Sequence, residues 1–142
     1  MHKTFYASGF LYLPQTQQIL LQQGMNQTSP QWELIGGMSK KGESAEKAFA
    51  RIVQEILHLK LPLKHVFPVY ERNDGDNKLV ILYADVTKAR EFKPAKEHSF
   101  SWFTRKQVTK LPISSQTLQD IIVGQRVVDA KLRKSLGQHT FE

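Results

Sequence analysis

A chain of 142 residues is near the commonest domain size and long enough for a substantial core, so one domain over residues 1–142 is expected. It contains no Cys, which excludes disulfides, thiolate metal sites and Cys nucleophiles, and it has neither an apolar run of bilayer length nor an apolar N-terminal segment ahead of a small-residue cleavage site. A cytoplasmic protein away from membranes is therefore expected, and a net charge of +7 with a pI near 9.7 favours anionic partners such as nucleotides or RNA.

Residues Thr4 to Leu13 are rich in aromatic and aliphatic side chains, and Gln18 to Gln22 follow a Pro-containing turn, so the two read as the strands of a hairpin. Residues 24–31 form a polar loop, and Trp32-Glu33-Leu34-Ile35 is a short apolar approach to Gly36-Gly37, where the backbone can pass close to a ligand. A helix is expected from an N-cap at Ser44 to about Leu57. Ala45, Ala48, Phe49, Ile52, Val53, Ile56 and Leu57 give it a wide apolar stripe. Phe49, Val53 and Leu57 are expected to face the core, and Ile52 and Ile56 to border a cleft turned apolar.

Farther on, His65 to Glu71 and Leu79 to Asp85 flank the turn signal Asn73-Asp74-Gly75-Asp76 and read as a second hairpin, with Asp85 as its terminal cap or turn residue. Phe100 to Phe103 is one more short strand. A final helix is expected over Gln116 to Leu136, interrupted at Gly124, because Gly inside a helix costs about 1 kcal/mol relative to Ala. There are no repeats or low-complexity tracts, and strands mixed with helices in this order suit an α+β fold with a mixed sheet between helices.

The stretch from Gly36 to Leu59, GGMSKKGESAEKAFARIVQEILHL, resembles the Nudix box. That pattern is Gly, five residues, Glu, seven residues, then Arg-Glu-aliphatic-x-Glu-Glu-x-Gly-aliphatic. Gly37, Glu43, Arg51, Val53, Glu55 and Leu59 match in register, six of nine specified positions. Ile52 and Ile56 stand where the family has Glu, His58 where it has Gly, and Ile35 where its enzymes often have Pro. Side chains three and four apart share a helical face, so acids at 52, 55 and 56 would converge on one spot. A magnesium ion held there with substrate phosphate oxygens would align a pyrophosphate and activate a water. Of the three positions only Glu55 carries a carboxylate.

The resemblance implies a Nudix α/β/α sandwich with a mixed β-sheet between helices, including a brief helix over Arg105 to Leu111. It implies Mg2+ (or Mn2+) bound by Glu55, the Gly36 carbonyl and Glu97 in KEHSFSW, with Glu55 and Glu97 as the catalytic pair. Lys40 and Lys41 would face substrate phosphates, Glu43 and Arg51 would pair to brace loop and helix, Gly37 would complete the structural box, and a homodimer is compatible with the habits of relatives. The expected function is Mg-dependent hydrolysis of a nucleoside diphosphate linked to another group. Losing about 3–5 kcal/mol of metal-derived stabilisation would slow it about 10²- to 10⁴-fold. The alternative is a non-catalytic nucleotide- or RNA-binding module on the same fold, holding phosphates through Lys40, Lys41 and backbone amides. Duller readings stand beside these: Glu97 and His98 as ordinary loop residues, Trp32 as strand packing rather than a base platform, and Arg126, Lys131, Arg133 and Lys134 as a solvated helix face. No basic run is expected to be interleaved with aromatics in the manner of a nucleic-acid platform.

Overall fold

The computed structural model describes residues 4–25, 28–95 and 97–137. Seven strands form one mixed sheet: β1 (Tyr6–Leu13), β2 (Gln18–Gly24), β3 (Trp32–Glu33), β4 (Ile35–Met38), β5 (Val66–Asp74), β6 (Asn77–Asp85) and β7 (His98–Thr104). Helix α1 (Ala45–Leu57) covers one face, and α2 (Arg105–Val108) and α3 (Ser115–Ser135) belong to the other. This is the helix–sheet–helix layering with a mixed sheet expected above. Residues 26 and 27 of the expected 24–31 loop lie outside the described residues.

Strand order runs β3-β2-β1-β6-β5, with β4 on β1 and β7 on β2. Pairing of β1 with β6 is parallel from Tyr6 opposite Leu79 to Tyr12 opposite Asp85. The other edge of β1 is shared. Its first half, Tyr6–Gly9, pairs antiparallel with β4, while Leu11–Leu13 pair with β2. Residues 32–38 therefore lie in a fork, bonded to β2 at Trp32 and Glu33 and to β1 from Ile35 to Met38. The double glycine that opens the box is carried by that fork.

Side-chain alternation divides the core into two clusters. Ala7, Leu11, Leu20, Val80 and Leu82 face α1, which contributes Ala48, Phe49, Ile52, Val53 and Leu57. Phe10, Tyr12, Ile19, Ile81 and Tyr83 face the α3 side, which contributes Ile121 and Val128. Trp32 packs within this second cluster, edge to face on Phe103 at 4.7 Å between ring centroids.

Several expectations need correction. Helix α3 runs unbroken through Gly124, because the glycine seats the helix on Phe10: a Cβ there would lie 2.6 Å from Phe10 Cε2. His98 is the first residue of β7, opposite Gly24, not part of a loop. The second hairpin turns more tightly than expected, with Asn73 and Asp74 in β5 and Asp74 opposite Asn77. His65 closes a short 3-10 turn, Leu63–His65, and the brief helix ends at Val108, capped by Thr104 and Gln107 through reciprocal side-chain and backbone bonds. Among the described residues no helix is long and apolar enough to cross a membrane.

Candidate functional site

The loop between β4 and α1 is fixed at both ends. Ser39 is buried, its Oγ accepts the Phe5 N–H at 2.9 Å, and its own N–H donates to the Phe5 carbonyl at 2.8 Å. At the far end Ser44 caps α1 by accepting the Lys47 N–H at 3.2 Å. Between them Arg51 reaches back from the helix. Its Nε and Nη2 donate to Glu43 at 2.8 and 2.9 Å, Nη2 also donates to the Met38 carbonyl at 2.9 Å, and Nη1 donates to Glu55 at 3.1 Å. The Arg51 hydrogen bonds, aided by the Lys40 N–H at 2.6 Å, hold the Glu43 carboxyl below its ordinary range. Glu43 in turn keeps Arg51 charged. Lys40 and Lys41 are exposed at the loop tip, and the Lys40 amide, being tied to Glu43, is not a free donor for a phosphate.

The box positions 52, 55 and 56 do not form a carboxylate face. Ile52 is 3% exposed and belongs to the core with Phe49 and Val53, so it does not border an open cleft as expected. Its side chain abuts Gly37: a Cβ on that glycine would sit 3.3 Å from Ile52 Cδ1 and Cγ1. Ile56 is half-buried against the same cluster. Glu55 has a side chain 45% exposed and is held by Arg51. Thus the structure brings Glu43, Arg51 and Glu55 together. Gly36 lies in β4 opposite Ser8. Glu97 is exposed, adopts a left-handed backbone with φ 64°, and accepts the Met25 N–H on its carbonyl at 2.8 Å. Among the described residues no three Asp, Glu, His or Cys side chains converge to hold a metal ion. This donor set does not fit the divalent cation that the box pattern implies.

Below β1, on the α3 side, lies a polar group that sequence reasoning missed. A hollow of about 180 Å³ is lined by Tyr6, Ser8, Glu33, Arg72 and Asp120 among others. Asp120 is 3% exposed and accepts hydrogen bonds from the Tyr70 hydroxyl, Arg72 (3.1 and 3.3 Å) and Gln116 (3.3 Å). Burial, and after it the Asp120 carboxylate, pushes the Tyr70 phenol up, so the phenol remains a donor. Glu33 accepts from Gln22 at 3.1 Å and lies 3.3 Å from His98 Nε2. The available signal was slight: Asp120 directly precedes the buried Ile121 in a helix, which an exposed capping or surface acid would also do.

Fold and loop geometry define a chain built on the Nudix plan with an incomplete acidic centre. The NUDIX domain model matches residues 3–121, and the protein belongs to that family. Among solved structures it is similar to MutT from work on Aliivibrio salmonicida and Vibrio cholerae, with 13% identity, TM-score 0.71 and coverage of 89% of this chain and 98% of that one. The NUDIX domain of Shewanella oneidensis NrtR complexed with ADP ribose is 21% identical, with TM-score 0.67 and coverage of 88% and 86%. The E. coli dihydroneopterin triphosphate pyrophosphohydrolase is 17% identical, with TM-score 0.66 and coverage of 88% and 95%. At these identities the likeness establishes the fold. No match was found among curated protein sequences.

Proposed function

We propose that this Nudix domain binds a phosphate-containing nucleotide derivative, a nucleoside diphosphate linked to another group, and that hydrolysis of that ligand is weak. The carrying observation is Ile52, buried against Gly37 where the box has a carboxylate. With Ile56 equally unable to ligate and Glu55 bound to Arg51, no set of acids among the described residues is left to grip a cation and polarise a pyrophosphate. What the loop retains is positive charge. Lys40 and Lys41 are exposed on a loop braced by Glu43 and Arg51, and neither enters an ion pair among the described residues. Exposed cations on a braced loop suit phosphate binding, which needs no metal-activated water. The likeness to the NrtR domain complexed with ADP ribose supports this ligand class. Because ammonium–phosphate contact needs no bridging metal, binding should persist without a divalent ion.

The test pairs binding with turnover on the same ligands. Titration calorimetry with ADP-ribose, a dinucleoside polyphosphate and NTPs should give binding that is unchanged by chelator and weakened by Lys40→Gln/Lys41→Gln. Product analysis with millimolar Mg2+ should show turnover about 10²- to 10⁴-fold below the usual range of about 1–10³ s⁻¹. Turnover within that range would refute weak hydrolysis, and no binding of any ligand would refute the nucleotide assignment.

A further inference from the structure

A second feature lies at the other end of α1. Two hollows of about 400 and 440 Å³ share Arg90 and Phe92 as a common wall. The first lies against Leu59–Pro62, Asp85–Lys88 and Trp102, and the second against Ile56–His58 and Glu91–Ala95. Together they make one groove between the loop after α1 and the loop after β6. The residues lining the two hollows include four cations, Lys60, Lys88, Arg90 and Lys93, against two acids, Asp85 and Glu91, a net +2. Arg51, Arg72 and Arg105 are each tied to an acid, whereas among the described residues Lys60, Lys88, Arg90 and Lys93 enter no ion pair. Asp85, half-buried at the end of β6, faces Lys131 and His65.

Aromatic groups accompany this charge. Trp102, half-buried, lines the first hollow, and its indole N–H donates to the Arg90 carbonyl at 2.8 Å, which fixes ring and loop together. Phe92 lines both hollows and stands edge to face with Phe100 at 6.5 Å. Cations without an ion pair among the described residues, beside aromatic rings, match the needs of unstacked bases on a phosphate backbone, because every base offers a π-face and every linkage a charge. A duplex hides its base faces. One small anion would use a single cation cluster, whereas here the cations extend along two consecutive hollows.

We propose that this groove binds single-stranded nucleic acid. The assignment goes beyond the proposed nucleotide binding and does not rest on it, since none of the groove's cations belongs to the box loop. Its test is fluorescence anisotropy of labelled octauridylate and thymidine octamer against the full chain between 50 and 200 mM salt. Four neutralised phosphates predict a slope of log K on log salt of about −3, from about −0.7 per contact on a single strand. Lys60→Gln/Lys88→Gln/Arg90→Gln, all exposed positions, should reduce the slope to about −1 and weaken binding at least tenfold at 50 mM salt. Phe92→Leu should weaken it about fivefold or more, with folding checked by circular dichroism. Arg126→Gln/Arg133→Gln/Lys134→Gln on α3, with the same charge change, should leave binding within twofold. No binding of either octamer at 50 mM salt, equal losses in the two triple variants, or an eight-base-pair duplex bound as tightly as the single strands would each overturn the proposal.

Discussion

Placing carboxylates back on the box face, Ile52→Glu/Ile56→Glu, tests the account of the site most directly. Ile52 is 3% exposed, so the change removes about 1.5–3 kcal/mol of apolar burial and puts an acid against Gly37 and the core. Ile56, half-buried, adds less. The total loss without metal should be about 3–5 kcal/mol, a large share of an ordinary domain's stability of about 5–15 kcal/mol, and should lower Tm by about 10–15 °C. The two added carboxylates share a helical face with Glu55, so the variant should bind Mg2+. At a hundredfold excess over Kd the ion returns about 2.7 kcal/mol. Differential scanning calorimetry should therefore show the variant's Tm rising by about 8–10 °C with Mg2+, while that of the natural chain moves by no more than about 1 °C. Hydrolysis should rise about 10²- to 10⁴-fold in parallel. A natural chain already stabilised by several degrees in Mg2+, and turning over as fast as the variant, would refute the reasoning, because other oxygens would then complete a metal site.

Three further changes probe the scaffold. Gly124→Ala improves helix propensity by about 1 kcal/mol but drives a methyl to 2.6 Å from Phe10, an overpacking of about 1–3 kcal/mol; thermal denaturation should show net destabilisation, relieved by adding Phe10→Leu. His58→Gly should raise Tm by about 3–6 °C, since His58 closes α1 in the left-handed region at φ 55°, where a β-carbon is penalised by about 1–2 kcal/mol. Glu43 titrates below its ordinary value of 4.5 because Arg51 binds its charged form. Its contribution is thus complete above about pH 4.5 and lost as pH falls through the lower folded value, so Glu43→Gln should flatten the acid limb of a urea-midpoint profile below pH 4.5.

Legibility of the chain followed the range of the interactions involved. Helix α1, its Ser44 cap and the β1–β2 and β5–β6 hairpins are encoded by local periodicity and turn residues, and they appear with ends shifted by a few residues. Glu43 and Arg51 were legible as box residues because an eight-residue spacing carries them. The environment of Ile52 was not, since an apolar stripe shows which residues are apolar but not which of two neighbouring edges is sealed, and here the sealing partner is Gly37 on a different element. Gly124 misled for the same reason. Propensity argues for a break, and only the arrival of Phe10 from β1 reveals why a glycine is required inside a continuous helix.

Charge shows the limit most clearly. The chain's excess of +7 is visible at once, yet in sequence the cations after α1 and those after β6 are separated by the whole β5–β6 hairpin. Trp102 lies farther on still, in β7 at the opposite edge of the sheet. Only the order β7-β2-β1-β6 brings the end of β6, the end of α1 and Trp102 around one groove. Near-neighbour patterns of basic and aromatic residues therefore argue against a nucleic-acid platform, while the assembled fold gathers cations and aromatic rings from distant segments around the proposed groove. Three basic residues of α3 make the converse case. Arg126, Arg133 and Lys134 are close together in the chain but exposed on a helix and border neither hollow, so proximity in sequence gives them charge without a site.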